Sequence, residues 1–125
     1  MPPGQIVMAP PDHHLVIKSD RLWLTTDPER HSCRPSVDVL FESLAAAYGP
    51  NIVAALLTGM GRDGAAGLLK IRQAGGQTIA QDEASSVVYG MPREAILLGA
   101  AQQVLPLGKI GLALAAAAAT VGAPE

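Results

Sequence analysis

A single cysteine, Cys33, stands in a chain of 125 residues. One thiol excludes an internal disulfide and a CxxC metal or redox site. Aromatic residues are scarce too: Trp23, Phe41, Tyr48 and Tyr89 make up 3% of the chain. Four scattered rings give no platform for stacking nucleic-acid bases. Charge of either sign is thin, at 16% of residues, against about a quarter in ordinary globular domains. Nine Lys and Arg against eleven Asp and Glu leave a net charge of −2, which gives no electrostatic reason to hold nucleic acid. No apolar run approaches the about 20 residues of a membrane span. The most apolar one, residues 110–121, is far shorter. The opening residues MPPGQIVMAPPDHH lack the basic start and apolar core of a secretory signal. The expected setting is cytoplasmic and reducing, without membrane insertion.

What is present is apolar substance, 49% of the residues. That excludes disorder, and the length suits one domain with one sizeable core. With so little charge, much of the surface is expected to face protein.

Short β-rich runs at residues 5–9, 14–18 and 21–25 predict strands, with turns at Pro10-Pro11-Asp12 and Ser19-Asp20. Ser36 suits the cap of a helix carrying Val37, Leu40, Phe41 and Leu44 at helical spacing, which Gly49-Pro50 ends. The run NIVAALLT at residues 51–58 has strand length and continuous apolarity, so a parallel strand buried on both faces is expected. A glycine-rich turn, GMGRDG, leads into a helix over residues 65–73. A short strand at residues 78–80, a helix around Pro92, a strand at residues 103–105 and an alanine-rich helix from Leu107 follow. This alternation argues for α/β with a parallel sheet.

Sites in open α/β sheets lie beyond the carboxyl ends of the strands, where Thr58 to Gly64 falls. Three readings of that turn stay open on the residues alone. Gly59, Gly61 and Gly64 satisfy the G-x-G-x-x-G dinucleotide pattern, with Asp82 near the distance of a ribose-binding acid. Against this, Asp63 puts a carboxylate where a pyrophosphate would sit. Alternatively Asp63 orients a catalytic histidine, as a triad acid must. Or it only caps the helix that follows.

The stretch LLTGMGRDGAAGLLKIRQAGGQTIAQDEASSVVYGMPREAILLGAA, with APPDHHLVI near the start and RPSVDVLFESLA in the middle, resembles the CheB-type protein-glutamate methylesterase catalytic domain of bacterial chemotaxis. The resemblance implies a three-layer α/β/α domain with a parallel sheet, here truncated at the N-terminus and opened by a short β-rich segment. It implies hydrolysis of glutamyl methyl esters on methyl-accepting chemotaxis receptors, with glutamine deamidation in many members. The reaction would run on a Ser-His-Asp triad without metal or organic cofactor. The triad acid falls on Asp63, and an oxyanion-hole backbone N–H on Met60. GMPREA, from Gly90 to Ala95, matches a loop near the site and receives no role.

The same resemblance places the nucleophilic serine and the histidine ahead of the segment at which this chain begins. Residues 1–125 would then form the C-terminal part of the domain, lacking the nucleophile-bearing segment and the regulatory receiver domain. A chemotaxis histidine kinase, a receiver domain or a chain carrying the missing segment are further expected partners. A non-catalytic remnant that docks on a receptor or kinase is the alternative. Within the chain no substitute triad is legible. Ser85 and Ser86 have no base at a telling distance, His13 and His14 would point to opposite strand faces, and His31 lies in a loop. Cys33 reads as an inert loop cysteine. Asp38 and Glu42 read as one solvated helix face, and His13-His14 lacks further ligands at metal spacing.

Overall fold

Ser19 and Asp20 both adopt positive φ, 54° and 59°, as a two-residue hairpin turn matched to the twist of its strands requires. They join β1 (His14–Lys18) to β2 (Arg21–Thr25) as an antiparallel pair, Leu15 opposite Leu24 and Ile17 opposite Leu22. The computed structural model describes residues 4–120. The strand expected at residues 5–9 does not form, and Ile6 and Met8 stand almost bare. β-Propensity reports packing on a pleated, half-buried surface rather than a backbone preference. No strand among the described residues pairs with this segment, so the propensity has nothing to act on.

Ser36 caps α1 (Val37–Tyr48) as expected, its hydroxyl accepting from the Val39 N–H at 3.3 Å, and Gly49 at φ 54° ends it. The chain then alternates: β3 (Val53–Leu56), α2 (Ala65–Gln73), β4 (Gln77–Gln81), α3 (Gly90–Leu97), β5 (Gln103–Leu105) and α4 (Leu107–Thr120). β3, β4 and β5 lie parallel in that order, Leu56 beside Ala80 and Ala80 beside Val104.

Side-chain alternation sorts the layers. Ala54 and Leu56 share one face and join a core with Leu68 and Ile71 of α2 and Ala95 of α3. On the opposite face, Gln77 Nε2 donates to Thr120 Oγ1 of α4 at 3.3 Å. The three-layer α/β/α arrangement therefore holds, on a sheet of three strands with the hairpin packed against α1.

The strand from residues 51–58 is shorter than its apolar run and not buried on both faces. Ala54 and Leu56 are buried, but Val53 and Ala55 are half-buried and Leu57 is exposed. The cause is position: β3 ends the sheet, and its outer edge has no strand beside it among the described residues. No helix among the described residues is long and apolar enough to cross a membrane. Residue 121, the end of the most apolar run, lies outside them.

Candidate functional site

Two loops are fastened together at the carboxyl ends of β3 and β4. The buried Gln81 accepts the Thr58 N–H on Oε1 at 2.8 Å and donates through Nε2 to the Ser85 carbonyl at 2.8 Å. The Gly59 N–H donates to the Val88 carbonyl at 2.9 Å, and the Met91 N–H donates to the Gly59 carbonyl at 2.8 Å. The turn carrying Met60 is thus pinned to the start of α3. Met60 itself is 84% exposed, and its backbone N–H has no hydrogen-bond partner among the described residues.

Asp63 comes from this turn but points elsewhere. Its carboxylate is 4% exposed and lies against the first turn of α1. Oδ1 accepts from Ser36 Oγ at 2.8 Å and from the Asp38 N–H at 3.1 Å. Oδ2 accepts from the Val37 N–H at 2.7 Å. Unpaired N–H groups and the positive end of the helix dipole make this a natural seat for an anion. Asp63 therefore does not cap the helix that follows it; it caps one that begins 26 residues earlier in the chain. Gly64 makes the approach possible. It adopts φ 97°, and a Cβ there would meet Leu56 Cδ1 at 2.7 Å and Val37 Cγ1 at 2.9 Å.

The clamp is itself held. The Ser36 N–H donates to His14 Nδ1 at 3.2 Å, so the proton of this fully buried ring sits on Nε2, which donates to the Pro28 carbonyl at 3.0 Å. The adjacent histidines do divide as expected, with His14 buried and His13 half-buried.

Asp38 corrects the expected solvated face. It is fully buried, accepting the Gly67 N–H on Oδ1 at 2.6 Å and His31 Nε2 on Oδ2 at 2.8 Å. A helical acid packed onto a neighbouring helix is buried when that helix offers a donor, and Gly67 of α2 does. Glu42, one turn on, binds Arg30 through Nη1 at 3.0 Å and through Nη2, and lies 3.6 Å from Lys70 Nζ. The Arg30 bonds hold its carboxyl below the usual range, against a smaller opposing push from burial.

His31, Asp38 and Asp63 each bring a potential metal-ligand atom within 4.8 Å of the others. Spacing along the chain gave no hint of this set. The Asp38–His31 contact has hydrogen-bond length, and the other His31 nitrogen, Nδ1, accepts from Arg62 Nε at 3.2 Å. These atoms are committed to one another by donors and acceptors that match.

The remaining candidates have local roles. Ser85 Oγ donates to Asp82 Oδ1 at 2.6 Å and accepts the Leu107 N–H at 2.9 Å. Asp82, the acid counted for a ribose, is committed to Ser85 in its own turn. Burial pushes the Cys33 thiol up, aided by the charges of Asp63 and Glu29, which keeps thiolate low. Beside the pinned turn opens a groove of about 650 Å³ lined by His31, Ser32, Gly61, Arg62, Gly90, Arg93 and Glu94. Arg62, Arg93 and His31 were not singled out from sequence as one site; only the GMPREA motif pointed toward Arg93.

The chain resembles known proteins over most of its length. It is 55% identical over 115 residues to the protein-glutamate methylesterase FrzG of Myxococcus xanthus, covering 91% of this chain and 34% of that protein. It is 55% identical over 124 residues to protein-glutamate methylesterase/protein-glutamine glutaminase 2 of Pseudomonas aeruginosa, covering 96% and 36%. The crystal structure of the Thermotoga maritima CheB methylesterase catalytic domain superposes with a TM-score of 0.80 at 38% identity, covering 84% of this chain and 58% of that one. The chain thus spans about a third of the length of the curated relatives it matches. The CheB methylesterase family model matches residues 1–114. With sequence, fold and family model agreeing over the same residues, the chain belongs to the CheB methylesterase family.

Proposed function

We propose that residues 1–125 are the C-terminal part of a protein-glutamate methylesterase domain whose serine and histidine lie in the portion this chain does not match. The observation that carries the reading is the Asp63 carboxylate: buried, fixed by three donors at the start of α1, and set three residues after Met60, an exposed residue whose N–H has no partner among the described residues. A triad acid needs that fixity, because its task is to hold one tautomer of an imidazole and to stabilise the imidazolium. Asp63 Oδ2 has one partner where Oδ1 has two, so Oδ2 is the oxygen left to receive the histidine N–H.

The chemistry then runs as acyl transfer. The serine oxygen attacks the glutamyl ester carbonyl while the histidine takes its proton. The Met60 N–H donates to the oxyanion that forms. The histidine returns the proton as methanol leaves, and water cleaves the acyl-enzyme to glutamate. A glutamine amide would follow the same path with ammonia leaving, as the glutaminase names of the relatives suggest. Chemoreceptors are the proposed protein substrate. A receiver domain or kinase is the proposed regulator.

The test joins this chain to the unmatched part of the Myxococcus relative and measures methanol release from methylated receptor. The completed domain should release methanol, and Asp63→Asn should lower kcat about 10⁴-fold with folding retained. Equal rates for both would remove Asp63 from the mechanism. Receptor binding without any methanol would make the chain a docking module.

A further inference from the structure

The groove of about 650 Å³ beside Met60 and Asp63 has no part in the acyl-transfer steps. Its size lies within the about 300–1,000 Å³ of ligand pockets. Its walls come from three segments: His31 and Ser32 from the loop before α1, Arg62 from the turn after β3 and Arg93 from α3. The last two segments are cross-linked by the Gly59–Val88 and Gly59–Met91 hydrogen bonds. They also touch closely: a Cβ on Gly90 would meet the Gly59 carbonyl and the Gly61 nitrogen at 3.0 Å.

The charges in the groove are unspent. Arg62 uses only Nε, donated to His31 Nδ1 at 3.2 Å, while the buried Asp38 holds the other side of that ring at 2.8 Å. Asp38, His31 and Arg62 thus form a chain that aims a guanidinium whose two terminal nitrogens have no partner among the described residues. The Arg93 guanidinium has no hydrogen bond or ion pair among the described residues, the backbone N–H alone donating to the Tyr89 carbonyl at 3.2 Å. Against these two cations the groove offers one carboxylate, Glu94, also outside any ion pair among those residues. On a chain of net charge −2, this is a local cationic site facing solvent.

We infer that the groove is a subsite for an acidic side chain of the protein substrate, flanking the residue whose ester or amide is hydrolysed. The inference rests on the methylesterase reading. A methyl ester or amide is neutral: its carbonyl can accept a hydrogen bond but brings no charge to pair with two guanidiniums. A neighbouring carboxylate matches their planar forks. Glu94 limits the groove to a small anionic load.

The test uses the ¹⁵N-labelled 125-residue chain and two synthetic peptides. Both carry a central glutamine; one has glutamates around it and the other glutamines. Inorganic phosphate forms a third arm. The acidic peptide should move the Nε signals of Arg62 and Arg93 and bind about fivefold more tightly than the neutral one. The preference should shrink with added salt and vanish in R62Q/R93Q, whose exposed positions leave folding intact. Equal binding of both peptides, absence of binding, or a preference that survives in R62Q/R93Q overturns the subsite. Phosphate moving the same signals as strongly at equal concentration replaces it with a free-anion site. Methanol release by the completed domain is a separate readout. Release without the acidic preference removes the subsite alone, and preference without release removes the esterase reading alone.

Discussion

Two regions of this small fold meet solvent in opposite ways. Around Asp63 every buried side-chain polar atom is partnered; among the described residues the one exception, Thr25 Oγ1, lies in the hairpin. Elsewhere, Ile6 and Met8 are bare, Leu57 is exposed, and β3 presents an edge unpaired among the described residues. The difference follows from range. Hydrogen bonds between α1, α2 and the turn after β3 close within the chain, so the acid is fixed by what is present. Apolar cover for a strand edge needs another strand. The chain spans about a third of its curated relatives, and the proposed function places the missing cover there together with the serine and histidine.

The sharpest way to break this comparison is to disturb the contact between α1 and α2. Gly67→Ala puts a Cβ 2.7 Å from Phe41 Cβ and 3.0 Å from Asp38 Oδ1. Neither neighbour is the loose end of a long side chain. Overpacking of this kind costs about 1–3 kcal/mol, offset by up to about 1 kcal/mol from alanine's helix propensity. A net loss of about 1–2 kcal/mol, or roughly 5–10 °C in Tm, is expected in a thermal melt. Ile6→Ser with Met8→Ser, in the bare segment, should stay within about 0.5 kcal/mol. If the pair of serines costs as much as Gly67→Ala, the segment is packed and the contrast fails.

A smaller effect is expected at the clamp. Ser36→Ala removes both the cap to Val39 and the hydroxyl donated to Asp63. Such a cap is worth about 0.5–2 kcal/mol, and Ser36→Thr should restore most of it. In the completed domain, Ser36→Ala should lower kcat more than it raises KM, because the Val37 and Asp38 N–H groups still hold a less constrained Asp63. A change in KM alone would show that the clamp shapes binding and not the acid.

Much of this was legible beforehand, for identifiable reasons. Helix α1 announced itself through Ser36, the apolar spacing and Gly49, all local signals. The order of strands and helices after residue 35 followed from period and turn residues. Asp63 stood out because glycines surround it. Its true partner did not, because a carboxylate capping a helix 26 residues away leaves no mark in the spacing. Asp38 and Glu42 looked like a solvated face for the same reason: their donors, Gly67, His31 and Arg30, come from other elements. Residues 5–9 have strand composition but no ladder partner, and composition cannot supply one.

The smallest expected effect tests whether the ordered side extends to its surface. Glu42 is paired with Arg30, and that pairing holds its carboxyl below the ordinary range. A group whose folded pKa is depressed contributes stability above its unfolded pKa of about 4.3 and loses it as pH falls through the folded value. Arg30 is 42% exposed, so solvent screening keeps the pair near the about 0.5 kcal/mol of surface ion pairs. Glu42→Gln should therefore melt slightly below the parent at pH 7, and the gap should close as the pH drops into the acid range. High salt at pH 7 should narrow it too, since exposed pairs are screened. A gap that stays constant down to low pH would assign the loss to packing of the side chain on α1, and the ordered region would then end at Asp38.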